Sequence, residues 1–328
     1  MRRGARIRML GWLLPVFPLL LMVVQSPAVT SYVAAVKERS LPAFAEENLR
    51  SEIESEAKRR YEPPVDARND RVWKAIPGYD GLAVDVEETY RLAKKRKPGA
   101  PIVWVYKVVP ARVSLDDLMP QPVYRGNGRK PMVALMVNVS WGTEHLPEML
   151  RVLREEKVPA TFFLEGSWVK KHPDAARALV KEGHEIGNHA YSHPQMSKLS
   201  AARIREEILR TEQQIEETLG TRSKWFAPPA GDYNQTVVEE AHRLGMKTVL
   251  WTVDTVGWRK SSTPEIIAER VKRGVAGGSL ILMHPTDSTV KALPVIIRMI
   301  KEKGLRPGTV SEVLSPGRLE PVEPMVPF

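Results

Sequence analysis

The chain has 328 residues, 43% of them hydrophobic, with 49 basic against 39 acidic side chains for a formal net charge of +10. That length suits one large α/β domain plus a smaller region, and the basic surplus favours anionic partners such as lipid, wall polymer or nucleic acid. The absence of cysteine excludes disulfides and thiolate metal sites.

Arg2, Arg3, Arg6 and Arg8 precede an apolar run from Met9 to Val24, the charged start and apolar middle of an export signal. Ser26 and Ala28 give a small-x-small pattern for a signal peptidase. Pro15 and Pro18 interrupt the run, which is short for a spanning helix of about 20 apolar residues. Apolar residues resume through Val36, so residues 1–30 are expected to be either a cleaved signal peptide or a retained membrane tether. Both outcomes place the rest of the chain outside the cytoplasm. Residues 31–130 read as a stalk and a small α/β region. Lys37 to Arg60 is charge-dense with helical tendency, and Pro63 and Pro64 end it. A helical pattern follows from Val84 to Arg96, then a β-rich run from Ile102 to Val109. Pro110 to Lys130 carries prolines and glycines and reads as a linker.

From Pro131 the pattern changes. Met132 to Val139 is an almost unbroken apolar run, the signature of a strand covered on both faces. Glu144 to Glu156 has helical spacing, Ala160 to Leu164 is a strand, Pro173 to Glu182 is helical and His184 to Asn188 is extended. Ser200 caps a long amphipathic helix that stops at Gly220. Thr236 to Leu244 is helical and ends at Gly245, and Lys247 to Trp251 is a strand. Thr263 and Pro264 supply an N-cap and a first-turn proline. Leu280 to Met283 is a strand, and a last helix runs to Lys303. Strand and helix alternate about six times, which predicts a parallel sheet, open or closed into a barrel. Active residues in such folds sit at the carboxyl ends of strands. The domain is expected over 131–315, with a Pro-rich tail over 316–328.

Three segments at those strand ends carry chemistry. His189 and His193, four apart and just after a strand, can place two imidazoles on one ion. His284 leaves a buried strand; alone, such a histidine is ordinarily a turn residue. Asp254, leaving the strand near Trp251, is the type of carboxylate that fixes a histidine tautomer and raises its basicity. Basic residues are scattered without interleaved aromatics, so no nucleic-acid partner is expected.

With these segments on the page, the sequence resembles the polysaccharide deacetylases, the carbohydrate-esterase group that includes chitooligosaccharide and peptidoglycan deacetylases. The resemblance covers about Pro131 to Leu314. It is carried by Val158-Pro159-Ala160-Thr161-Phe162-Phe163, Gly183-His184-Glu185-Ile186-Gly187-Asn188-His189, Pro228-Pro229-Ala230-Gly231-Asp232-Tyr233-Asn234 and Trp251-Thr252-Val253-Asp254-Thr255. It implies an irregular (β/α) barrel preceded by a small α/β region. It also implies Zn2+ or another divalent metal on His189 and His193, with His284 protonating the leaving amine and Asp254 holding His284. The implied partner is a cell-wall or chitin-like N-acetylated glycan, lying in a groove where Trp251, Tyr233, Pro229 and Trp258 contact it. The stretch Asn138-Val139-Ser140-Trp141-Gly142 and the upstream region resemble a sporulation-associated branch, which implies a place in the cell wall or forespore envelope.

The departures from the family pattern are as informative as the matches. The first motif of the family ends its strand with two aspartates, a general base and a metal ligand. Asn138 and Val139 stand there. An arginine that orients the base is replaced by Ala227. The losses are mutually consistent, because a buried arginine without its carboxylate would be an unpaired charge costing several kcal/mol. One reading keeps a modified deacetylase, with a water, Glu144 or Asp232 supplying the missing oxygen ligand. Another makes the domain a non-catalytic glycan-binding module. A third gives the histidines a purely structural role.

Overall fold

The computed structural model describes residues 26–97 and 100–319, with the backbone alone at 38–45. The apolar run Met9–Val24 and the end of the Pro-rich tail lie outside the described residues. The described residues form two compact units, one made of 26–61, 83–97 and 100–107, the other of 62–82 and 108–319. The sequence places a boundary near residue 130, whereas here the second unit takes in two upstream stretches.

In the first unit, helix α1 (Pro27–Arg59) runs without a break through what reads as two segments. Ser26 caps it by accepting from the Val29 amide at 3.3 Å, and Pro27 occupies its first turn, the position where a missing N–H costs nothing. Helix α2 (Val86–Ala93) is capped by Asp85. Ile53 is fully buried, and the Arg60 guanidinium lies 4.4 Å over the Trp104 ring. Among the described residues no helix is long and apolar enough to cross a membrane.

In the second unit, β1 (Arg68–Asp70) and β2 (Lys74–Ile76) make an antiparallel hairpin. Strands β3 (Gly81–Val84) and β4 (Tyr106–Val109) lie where the chain passes between units. The apolar run from Ile102 is a strand only from Tyr106 onward.

The main sheet is parallel. It comprises β5 (Met132–Val139), β6 (Thr161–Leu164), β7 (Glu185–Asn188), β8 (Trp225–Phe226), β9 (Lys247–Thr248), β10 (Val253–Asp254), β11 (Leu280–Met283) and β12 (Arg306–Gly308). Their order is β10-β11-β5-β6-β7-β8-β9, with β12 beside the first half of β5. All eight residues of β5 are buried, which is why the sequence there does not alternate. Val133, Leu135, Val137 and Val139 join one apolar cluster with the covering helices. Met132, Ala134 and Met136 face a second cluster with Phe163, Trp225 and Leu280. This curled sheet with helices is the half-open (β/α) barrel expected from the sequence.

The helices are α3 (Leu146–Glu155), α4 (Gly166–Lys171), α5 (Pro173–Lys181), α6 (Ala201–Leu219), α7 (Gln235–Arg243), α8 (Pro264–Gly274), α9 (Asp287–Glu302) and α10 (Val310–Leu314). The expected caps are present. Ser200 accepts from Arg203 N, Gly220 closes α6 in a left-handed conformation, and Thr263 accepts from Ile266 N.

Residues 110–130 are not a free linker. Val123 is 1% exposed. Its amide donates to Thr248 O at 2.9 Å, and its carbonyl accepts from Leu250 N at 2.8 Å. Arg125 forms an antiparallel bridge with Ser279, and Gly126 N donates to Gly278 O at 2.7 Å. The segment is a strap across the gap between β9 and β10. A Cβ on Gly126 would come within 2.7 Å of Val313 Cγ1, so the close approach requires glycine.

Lys130, at the end of the strap, is 2% exposed and donates to Ser315 O at 2.8 Å and to Glu312 O. Burial pushes its pKa down from 10.5 to about 8, opposed by the charges of Glu312 and Asp80. Between those values the unfolded chain holds a proton that the folded chain has released, so stability rises with pH across the window. The gain should reach up to about 3 kcal/mol above pH 10.5 relative to pH 8 and below. Urea unfolding across this range should show that rise in the wild type and lose it in Lys130→Met. Parallel pH curves for the two proteins would overturn the assignment.

Candidate functional site

The site forms at the carboxyl ends of β5, β7, β8 and β11, where backbone strain concentrates. Ala190, His193, Ala230 and Val256 all have positive φ, between 51 and 59°. Such conformations cost of order 1–3 kcal/mol each and persist only where surrounding structure over-determines them.

The determinant of the 189–193 loop is Glu207 on α6. It is 1% exposed, and its carboxylate accepts from Tyr191 N at 3.0 Å, Ser192 N at 2.8 Å and Ser192 Oγ at 2.9 Å. Asn188 adds its Oδ1 as acceptor for Ala190 N, and its Nδ2 donates to Ile208 O. The loop therefore turns His193 back over His189, their rings 5.3 Å apart and edge to face.

His189 is 1% exposed, and its Nδ1 lies 2.7 Å from Ala227 O. A carbonyl can only accept, so Nδ1 carries the proton and Nε2 is left with its lone pair. Burial, the nearby His193 and His284, push His189 down to about 3 against the opposing contact with Ala227. Burial and His193 likewise push His284 down to about 4. His189 and His284 are thus neutral at physiological pH. The structure brings together His189, His193 and His284, with Asn138 at the end of β5, where Val137 pairs with Met283, the residue before His284. Asn138 is 4% exposed and its Oδ1 has no hydrogen-bond partner among the described residues. Val139 is fully buried.

Several expected partners are engaged elsewhere. Asp254 does not hold His284. Its Oδ1 accepts from Val256 N at 2.7 Å, while His284 Nδ1 is buried without a partner among the described residues. The cause is register, because Asp254 pairs with Leu282, two residues short of the histidine. Burial raises the Asp254 pKa. Asp232 accepts from Ser197 N at 2.8 Å and Ser197 Oγ at 2.7 Å, and Glu144 leans on His145 at 3.7 Å. Neither joins the histidines. Among the described residues no group of three His, Asp or Glu side chains could hold a metal ion. Two imidazoles and an isopropyl group do not fit the expected three-ligand site.

The expected glycan contacts also differ in character. Trp251 is half-buried against the inner cluster, and a Cβ on Gly231 would sit 2.8 Å from its ring. The Tyr233 hydroxyl is 2.8 Å from that of Tyr124, which the strap delivers, and burial raises the Tyr124 pKa. Pro229 is buried at the start of the 229–231 turn. Trp258 is 49% exposed, with the Arg259 guanidinium 4.9 Å over its ring.

Three residues escape sequence reasoning. Glu207 left a readable signal, a lone acid in the buried stripe Ile204, Ile208, Thr211 and Ile215 of α6. Trp141, stacked on His284, had none beyond its place in the first motif. Tyr124 was hidden in the apparent linker.

Residues 125–249 match the family model described as polysaccharide deacetylase. An uncharacterized protein, YlxY, of Bacillus subtilis is 43% identical over 298 residues, covering 90% of this chain and 93% of its own. A peptidoglycan-N-acetylglucosamine deacetylase of Bacillus cereus is 33% identical over 224 residues, covering 67% of this chain and 77% of its own. The crystal structure of a CE4 family pseudoenzyme from Bacillus anthracis superposes with a TM-score of 0.76 at 41% identity, over 82% of this chain and 96% of that one. A mutant of that pseudoenzyme with restored enzymatic activity gives the same TM-score at 40% identity, over 82% of this chain and 99% of that one.

Proposed function

The chain belongs to the polysaccharide deacetylase family, and we propose that it is a glycan-directed member whose hydrolysis of N-acetyl groups is impaired. The observation that carries this reading is the end of β5. A neutral amide with an unpartnered oxygen stands at Asn138 and an alkyl group at Val139, where the family uses its base and its metal carboxylate. An amide cannot take a proton from water, and loss of general-base help costs roughly two to four orders of magnitude in rate.

The groove at the three histidines is assigned to N-acetylated β-linked glycan of the cell wall or a chitin-like polymer. Kinship with a peptidoglycan deacetylase supports the wall, and the net charge of +10 adds attraction to anionic wall polymers. Retention of His189 in its Nδ1–H tautomer, with His193 beside it, favours a site descended from a metal centre over one of purely structural histidines. Zinc on these two imidazoles alone would be held weakly. The Arg-rich start and Met9–Val24 support export, with the amino terminus cut or kept as a membrane tether. The resemblance of the first motif supports a sporulation-associated role.

The test joins binding to turnover. Purified protein should sediment with insoluble peptidoglycan or chitin but not with an unrelated glucan, and should release acetate from acetylated chitooligosaccharide at a small fraction of an ordinary deacetylase rate. Equal failure on all three polymers would end the glycan assignment. Acetate release at ordinary rates would show that another residue serves as base. Fractionation of host cells should place the chain with membrane or wall, and recovery from cytosol would overturn export.

A further inference from the structure

Trp141 is 47% exposed, an unusual position for an indole, whose burial is among the larger apolar contributions a side chain can make. It is not on a loose loop. Gly142, the next residue, has φ of 77°, and a Cβ there would sit 2.1 Å from Pro285 O. The chain leaving β5 is thus pressed onto the chain leaving β11, and His145 N ties the turn by donating to Gly142 O at 3.0 Å. One face of the indole meets the His284 ring, with centroids 6.1 Å apart and planes 9° from parallel. The other aromatic side chains considered for the groove are engaged otherwise: Trp251 lies against Gly231, the Tyr233 hydroxyl is tied to that of Tyr124, and Trp258 carries Arg259 over its ring. Trp141 combines an exposed indole surface, a fixed backbone and direct contact with the histidine cluster.

We propose that Trp141 is the platform on which a pyranose ring of an N-acetylated glycan seats beside His284. The proposal rests on the glycan reading above and names the residue that selects the substrate. The apolar C–H face of a β-linked sugar covers the indole and removes it from water, while the polar edge of the sugar turns toward His284 and Asn138. Trp141 is a positioning residue, and takes no part in proton transfer.

The probe is N-acetylchitotetraose, titrated calorimetrically and by intrinsic fluorescence. Trp141→Ala should bind about tenfold or more weakly, and Trp141→Phe should recover most of the loss, because a flat ring is what the sugar needs. Trp141→Leu keeps apolar bulk without a ring and should behave like the alanine variant, which separates stacking from packing should alanine disturb the fold. The ligand-dependent fluorescence change should be much reduced in all three variants. Trp73→Leu is the control, since that ring lies under Arg125, which pairs beside the start of β11, at the opposite strand end from His284. It should leave affinity unchanged. If the wild type binds and the leucine variant binds equally well, the platform is wrong and the glycan reading stands. If the wild type binds no acetylated oligosaccharide or wall glycan, both fall.

Discussion

The double substitution Asn138→Asp with Val139→Asp should raise acetate release from acetylated chitooligosaccharide by roughly two to four orders of magnitude, the usual worth of a positioned general base. The contributions should separate. Val139→Asp supplies the third metal ligand, so zinc affinity should rise by a factor on the order of a hundred or more, as expected when two imidazoles gain a carboxylate. Without zinc the same change buries an unpaired carboxylate where Val139 is fully buried, and the variant should be destabilised. Added zinc should then raise its melting temperature far more than that of the wild type, because a ligand that binds only the folded chain stabilises it by mass action. Asn138→Asp should act mainly on turnover. Ala227→Arg should help only on top of both aspartates. Alone it forces a long cation into a position that is fully buried, next to the carbonyl that holds His189. If the triple variant folds, binds zinc and still releases no acetate, the groove does not position substrate for attack, and a pure binding role replaces an impaired catalytic one.

Glu207→Ala should cost the protein about 3–5 kcal/mol, the range seen when a buried charged partner is removed and its donors are left unpaired. In a domain of this size that lowers the melting temperature by roughly 6–20 °C. Two backbone amides and the Ser192 hydroxyl lose their acceptor at once, and Arg203 loses a partner at 3.0 Å. The loop they hold contains two non-glycine residues at positive φ, so it should relax and carry His193 away from His189. Glu207→Gln keeps an acceptor oxygen and should recover part of the stability. The readouts are thermal unfolding and the histidine ring resonances, whose mutual shift should vanish in the alanine variant. An unchanged melting temperature would remove Glu207 from its role.

Much of this was legible beforehand, for identifiable reasons. Met132–Val139 could be read to the residue because burial on both faces leaves no polar position, and Ser200, Gly220, Thr263 and Pro264 mark helix ends by local hydrogen-bond chemistry that needs no tertiary context. What escaped depends on distant parts of the chain. Arg306–Gly308 contains a proline and a glycine and reads as a turn, yet it pairs with Met132–Ala134. Residues 310–314 are too few to show a helical period, although Val310, Val313 and Leu314 fill the inner cluster. In the site, the types and spacing of His189, His193 and His284 announced a cluster. That Asp254 would fall two residues short of His284 is a matter of register, which a single strand cannot reveal.

The strap at residues 122–126 has a consequence for how the domain is made. On one edge it pairs with Lys74 and Ala75 of β2, made before it, while its other partners, Thr248, Leu250, Gly278 and Ser279, are supplied by chain that is synthesised, or delivered across a membrane, long after the strap itself. Contacts between such remote stretches carry a loop-closure cost that local contacts escape, and they slow the search for the native state. The strap can therefore pair early with β2 on one edge, but the Val123 amide and carbonyl on its other edge stay open to misplaced strands until the last third of the barrel arrives. Assembly of this domain is in effect sealed from its amino-terminal side, and the step that closes it comes late.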